Sequence, residues 1–205
     1  MSDIAIDSAE PAVLTLHGNP EWPQPVLEEH QHRVVSFDAG ADLAGRVQAA
    51  AAAVEEFGSP MHVVASGADG AVAVRLAITR PDLVKSLVLA DCSAATDLGD
   101  VTGELPDVPV PTLVVAACPD GVSGLEESQT LAGQIPNGVF VVMDHVELPV
   151  FGSRPGSFSA WSSSFIDIVE GLRSLDGEAV PTVPDTTPHH AQPHHAQPTA
   201  PARET

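Results

Sequence analysis

Met61-His62-Val63-Val64-Ala65-Ser66-Gly67-Ala68-Asp69-Gly70-Ala71-Val72-Ala73 passes without a break from an apolar, β-branched segment, through a cluster of small residues, into a second apolar segment that reaches Thr79. The first part reads as a strand buried on both faces. The second reads as a helix that stops before Pro81, because a proline restricts the residue ahead of it. Between the two the backbone has to reverse within a few residues, and Gly67 can take an unusual φ there without strain but offers no side chain.

Working outward, six apolar runs stand out: Ala12 to Leu16, Arg33 to Phe37, Met61 to Ala65, Val84 to Ala90, Thr112 to Ala117 and Val139 to Met143. Most lack polar alternation, as strands of a parallel sheet covered on both faces do. Helical signals lie between them. Asp42 can cap a helix whose Leu43, Val47, Ala50, Val54 and Phe57 share a face, closed by Gly58. Gly70 to Thr79, Leu125 to Ile135 and Phe158 to Leu172 complete the set, the last with Phe158, Trp161, Phe165, Ile168 and Leu172 in one stripe. This β/α alternation predicts an α/β protein with a mostly parallel, doubly wound sheet.

The quoted stretch, with flanks running through Leu76-Ala77, Arg80-Pro81 and Val84 to Asp91, resembles the nucleophile elbow of α/β-hydrolases, in which a strained turn presents a nucleophile, usually Ser, between small residues. The gapless register puts Gly67 at the nucleophile position. Leu16-His17-Gly18-Asn19-Pro20 is similar to that family's HGxP segment, near the oxyanion hole. Pro111 to Asp120 resembles the strand ending in the catalytic acid, with Asp120 on the acid. Met143 to Pro149 resembles the segment of the catalytic His, with Glu147 on the base and His145 two positions earlier. The resemblance covers residues 12 to 173 and implies an α/β-hydrolase-like domain whose usual nucleophile and base are substituted. Between Asp91 and Pro109 only a short stretch stands where many members insert a cap, so no cap domain is expected. Upstream of Ala12 there is room for one short strand, Ile4 to Ile6.

Three nucleophile assignments follow. With Gly67 at the apex, covalent catalysis is lost, since it needs an activated side chain. A register two residues later makes Asp69 the apex and resembles haloalkane dehalogenases and epoxide hydrolases; His17-Gly18-Asn19-Pro20 with Trp22 nearby is similar to the halide-holding segment of the former. Otherwise Asp69 is a first-turn acid favoured by the helix dipole. Ser66 is the third candidate, one residue before the apex. Asp120, His145 and Glu147 follow strand C-terminal ends, where open α/β sheets bind ligands. They could do acid/base work without a covalent intermediate, or be solvated loop residues. His17, Gly18, Asn19, Gly67 and Ala68 are the expected ligand-binding positions. Cys92 and Cys118 read as small buried residues.

Eight Lys and Arg against 28 Asp and Glu give a net charge of −20. That balance opposes nucleic acid and anionic membrane surfaces. No signal peptide or spanning segment is evident, which predicts a cytoplasmic protein. The expected division is a folded domain over residues 1–175 and a disordered Pro- and His-rich tail over 176–205. The tail's repeated His-His-Ala-Gln-Pro could meet Zn, Ni or Cu but lacks groups to orient its imidazoles, and no metal or cofactor is expected. A small-molecule ligand or a protein partner is expected. The leading expectation is a non-hydrolytic protein that binds a small ligand or assists a cofactor-free lyase, isomerase or cyclase step. A hydrolase with a displaced nucleophile and a non-catalytic interaction scaffold are the alternatives.

Overall fold

The computed structural model describes residues 10–177 apart from 28, 29, 39 and 122–124. The expected strand at Ile4 to Ile6 and the tail from residue 178 on lie outside the described residues. In chain order the elements are β1 (Ala12–His17), β2 (Gln31–Ser36), α1 (Leu43–Phe57), β3 (Met61–Ser66), α2 (Asp69–Thr79), β4 (Val84–Ala90), the two-residue strands β5 (Ala95–Thr96) and β6 (Gly99–Asp100), a 3-10 turn (Thr102–Asp107), β7 (Thr112–Cys118), α3 (Glu126–Gln134), β8 (Gly138–Asp144), α4 (Val150–Ser153) and α5 (Pro155–Gly177).

All six apolar runs are strands, and they form one parallel sheet in the order β2-β1-β3-β4-β7-β8. Each central strand feeds two cores by simple alternation of side chains. Leu14, Val63, Leu87 and Val114 point to the face packed with Val54 of α1 and Leu76 of α2. Val13, Val64, Val88 and Leu113 point to the other, where Phe151, Phe158 and Ile166 pack. This double burial explains why the strands read as continuous apolar runs.

The caps of α1 follow the sequence signals. Asp42 accepts a hydrogen bond from Gly45 N–H at 2.8 Å, and Gly58, at φ 87°, donates its N–H to Val54 O. The segment between β4 and β7 contains only the β5–β6 pair and the 3-10 turn.

The stripe expected on the last helix is divided. Phe158 is buried beside Ile166 and Val169, whereas Trp161, Ile168 and Leu172 are 52%, 61% and 56% exposed. The core-facing side of α5 is set by the Phe158-Ile166-Val169 row, which packs toward β4 and β7. The larger hydrophobics lie roughly a quarter turn away and face outward. No helix among the described residues is long and apolar enough to cross a membrane.

Candidate functional site

The sheet reverses its winding at β1, which pairs with β2 on one side and β3 on the other. Open α/β sheets form a crevice at such a point, beyond the strand C-termini. Here the crevice is a cleft of about 320 Å³ between the loop after β1 and the turn from β3 into α2. Gly18, Asn19, Trp22, Ser66, Gly67, Ala68 and Asp69 line it, joined by Arg46, Asp97 and Leu98.

Gly67 has φ 55° and Asp69 begins α2. Gly67 N–H donates to Ala90 O of β4, and Gly70 N–H returns to Gly67 O, each at 3.2 Å, so the reversal is centred on Gly67. A Cβ placed on Gly67 would meet the ring of Trp22 at 3.4 Å. That is van der Waals contact, and the indole therefore occupies the space beyond it. Trp22 packs edge-on against Phe151, with centroids 6.0 Å apart, and Phe151 tilts onto Phe158 at 5.7 Å.

Asp69 is 3% exposed and fully engaged. Its Oδ1 accepts from Arg46 Nη1 at 2.8 Å and its Oδ2 from Gly18 N–H at 2.5 Å. Arg46 is fixed in turn: its guanidinium lies 5.1 Å from the Phe37 ring centroid, and its Nε donates to Ala41 O at 3.1 Å. A Cβ on Gly18 would overlap Arg46 Nη1 and the Asp69 carboxylate, so any larger residue there requires the ion pair to shift. Asn19 Oδ1 accepts from Glu21 N–H at 3.0 Å, within the turn closed by Trp22 N–H to Asn19 O. Arg46 was missed in the sequence. The available signal was a lone cation in the first turn of a helix in a chain poor in Lys and Arg.

Asp120, His145 and Glu147 are exposed, and none of them lines the cleft over Gly67. The turns after β7 and β8 do meet. His145, at φ 56°, donates its N–H to Cys118 O at 2.7 Å, and a Cβ on Gly121 would stand 3.1 Å from its ring. Asp120 therefore shares a neighbourhood with His145, outside the lining of the elbow cleft. Ser66 lines the cleft and is 5% exposed, whereas His17 ends β1 outside the lining. Cys92 and Cys118 are buried, and burial pushes the Cys92 thiol well above its ordinary range.

Asp91 is a further residue the sequence did not single out. At φ 50° it turns the end of β4 so that its carboxylate accepts from Ala117 N–H at 2.7 Å and from Val150 N–H at 2.6 Å. One acid thus ties β4 to β7 and satisfies the first amide of α4. Burial raises its pKa above the usual carboxylate value, and the two amide bonds oppose that shift.

A Ser–His–carboxylate array does occur, at the other end of the sheet. Ser86 Oγ and Glu170 Oε1 each lie 2.8 Å from the ring nitrogens of His62, Nδ1 and Nε2 respectively. The Glu170 carboxylate can only accept, so Nε2 carries the proton and Nδ1 accepts from Ser86. Ser86 and His62 are completely buried, which seals the hydroxyl from any substrate.

No family model and no curated protein matches the sequence. Solved structures do. A thermophilic esterase from Thermogutta terrifontis superposes with a TM-score of 0.66 over 78% of this chain and 90% of its own, at 16% identity. The chain has the α/β-hydrolase fold. A meta-cleavage product hydrolase from Pseudomonas fluorescens matches with a TM-score of 0.64 over 77% and 90% at 11% identity. A membrane phospholipase A described as a bacterial virulence factor matches at 0.64 over 78% and 80% at 15% identity. The elbow of this α/β-hydrolase fold is built around glycine, an indole and a buried ion pair. Its apex residue, Gly67, carries no side chain.

Proposed function

We propose that this chain is a non-hydrolytic α/β-hydrolase-fold protein that binds a small ligand in the cleft over Gly67. The observation that carries this reading is the apex itself: glycine at φ 55°, with the Trp22 ring 3.4 Å from where a Cβ would stand. Trp22 and Leu98 give the cleft an apolar wall while Asn19, Asp97 and the Arg46–Asp69 pair make the rest of the lining polar, which suits a small ligand with a carbonyl or similar acceptor beside an apolar part. Gly70 and Ala71 N–H already donate to Gly67 O and Ala68 O, so such an oxygen would be met by the amides ahead of them, those of Ala68 and Asp69. In the variant of this reading that includes an acid/base step, proton transfer falls to Asp120, His145 and Glu147, and the substrate would have to reach past the cleft.

Hydrolysis through Asp69 is disfavoured because its carboxylate is held by Arg46 and Gly18, and a nucleophile must be able to leave its partners to reach a substrate. Ser66 precedes the apex, away from any base of the resembled family. The deciding experiment pairs a fluorophosphonate label and activated short-chain esters with a thermal-shift screen of small carbonyl compounds. The expected outcome is no adduct, no turnover above background, and stabilising compounds whose effect is lost on Trp22→Ala. A stoichiometric adduct on Ser66 overturns the reading.

A further inference from the structure

A cavity of about 640 Å³, twice the volume of the cleft over Gly67, lies between the start of α5 and the loop that follows β1. No residue lines both. Its size falls in the range of roughly 300 to 1,000 Å³ typical of small-molecule sites, and Phe151, Phe158, Pro23 and Val26 give it apolar walls.

The polar groups come from α5. Gly156, Ser159 and Ser163 line the cavity at intervals of three and four residues, which places them on one face of the helix. Ser163 is 7% exposed, and its hydroxyl has no hydrogen-bond partner among the described residues. Buried hydroxyls are ordinarily paired, so an unpaired one on a cavity wall points to an occupant that supplies the partner. At the other end, the N–H groups of Gly156 and Ser157 in the first turn meet no acceptor among the described residues, while that of Phe158 is taken by Arg154 O at 3.0 Å. Free amides at the positive end of a helix favour an anionic oxygen.

Charge points the same way. In a chain of −20, Arg33, Arg46, Arg75, Arg80 and Lys85 each pair with a carboxylate, whereas Arg154, directly before α5, pairs with none among the described residues. Arg173, near the far end of the same helix, is the other such cation. No ionisable side chain lines the cavity itself, so an acid entering it meets no fixed negative charge.

We propose that this cavity is a second ligand site, which takes a small carboxylic acid with an apolar body and an oxygen about 10 Å from the carboxylate, the rise from Gly156 to Ser163 at 1.5 Å per residue. The carboxylate accepts from the amides of Gly156 and Ser157. The body lies along α5 against Phe151 and Phe158, and the distal oxygen pairs with the hydroxyl of Ser163.

Titration of the isotope-labelled full chain with ω-hydroxyoctanoate, octanoate and α,ω-octanediol, followed through the backbone amide shifts, tests the proposal. The expected result is a saturable shift at Gly156, Ser157 and Ser163 with ω-hydroxyoctanoate. Octanoate, which lacks the distal oxygen, should bind about two- to tenfold more weakly, and the difference should vanish in Ser163→Ala. The diol, which lacks the charge, should bind at least about twofold more weakly than ω-hydroxyoctanoate. Shifts confined to Ser66 through Asp69 would put the acid in the cleft over Gly67 and overturn the proposal. So would shifts confined to Ile168 and Leu172 on the exposed side of α5, the absence of any saturable shift, equal binding of the two acids by the wild type, or a diol that binds as tightly as the acid.

Discussion

Arg46 Nη1 stands 2.8 Å from Asp69 Oδ1, and the two side chains close over the Cα of Gly18 so tightly that a methyl group there would overlap both. The contact joins α1 to α2 across the end of β1 at the mouth of the cleft. Removing one member of a buried pair strands the other, at a cost of about 3–5 kcal/mol. Asp69→Ala and Arg46→Ala should each lose on that order in urea unfolding, and the double substitution far less than their sum. Arg46→Lys should recover little, since an ammonium cannot reproduce the guanidinium's stacking on Phe37.

Gly18→Ala should behave like a pair-breaking variant although it replaces neither charged residue. Its Cβ cannot coexist with Arg46 and Asp69 in their present positions. The double variant Gly18→Ala with Asp69→Ala should be barely less stable than Asp69→Ala alone. Equal, additive losses in the denaturation cycle would contradict the geometry.

Gly67→Ser should not create an esterase. The positive φ costs a non-glycine residue about 1 kcal/mol or more, the added Cβ lies against the Trp22 ring, and among the described residues no histidine lines the cleft. Ester hydrolysis at background level, together with a lowered melting temperature, is the expected outcome.

His62 gives stability a defined acid limb. Burial depresses its pKa to about 4, against the raising effect of Glu170 and with the help of Lys85 and His30. The unfolded chain holds this proton with a pKa near 6.5, so it binds more protons than the folded chain between those values, and stability falls as pH drops from about 6.5 to about 4. The span corresponds to about 3 kcal/mol. His32, whose pKa burial and His30 also lower, adds in the same direction. In urea titrations across that window, His62→Gln should be less stable at neutral pH and show a shallower acid slope.

Asp91→Asn should cost about 1–3 kcal/mol, because it places an amide donor or a single acceptor before two buried N–H groups. Asn tolerates the left-handed backbone, so Asp91→Ala, which loses both bonds and adds strain, should be worse. Thermal unfolding ranks the two.

The four central strands were legible in the sequence because double burial writes itself as unbroken apolar runs, and the elbow because Ser66, Gly67, Ala68 and Gly70 are small. The apex position followed from register. What could not be read was long-range pairing. Nothing near Asp69 in sequence announces Arg46, 23 positions earlier, and Trp22 stands 45 positions from the glycine it covers. The stripe on α5 was read as one face because a helical period reports that residues align, whereas the choice of inward side depends on the sheet beneath. Asp120, His145 and Glu147 follow strand ends, as the sequence implied. That the turns after β7 and β8 meet each other, and that none of the three lines the cleft over Gly67, depends on loop geometry that no local pattern reports.

The indole over Gly67 couples the turn to the interior. Trp22 leans on Phe151, which packs on Phe158, so a tight turn at the sheet edge is linked ring by ring to α4 and α5. A displacement of the ring at one end would be felt as a repacking at the other, and the turn and the two helices respond to a substitution as one mechanical unit.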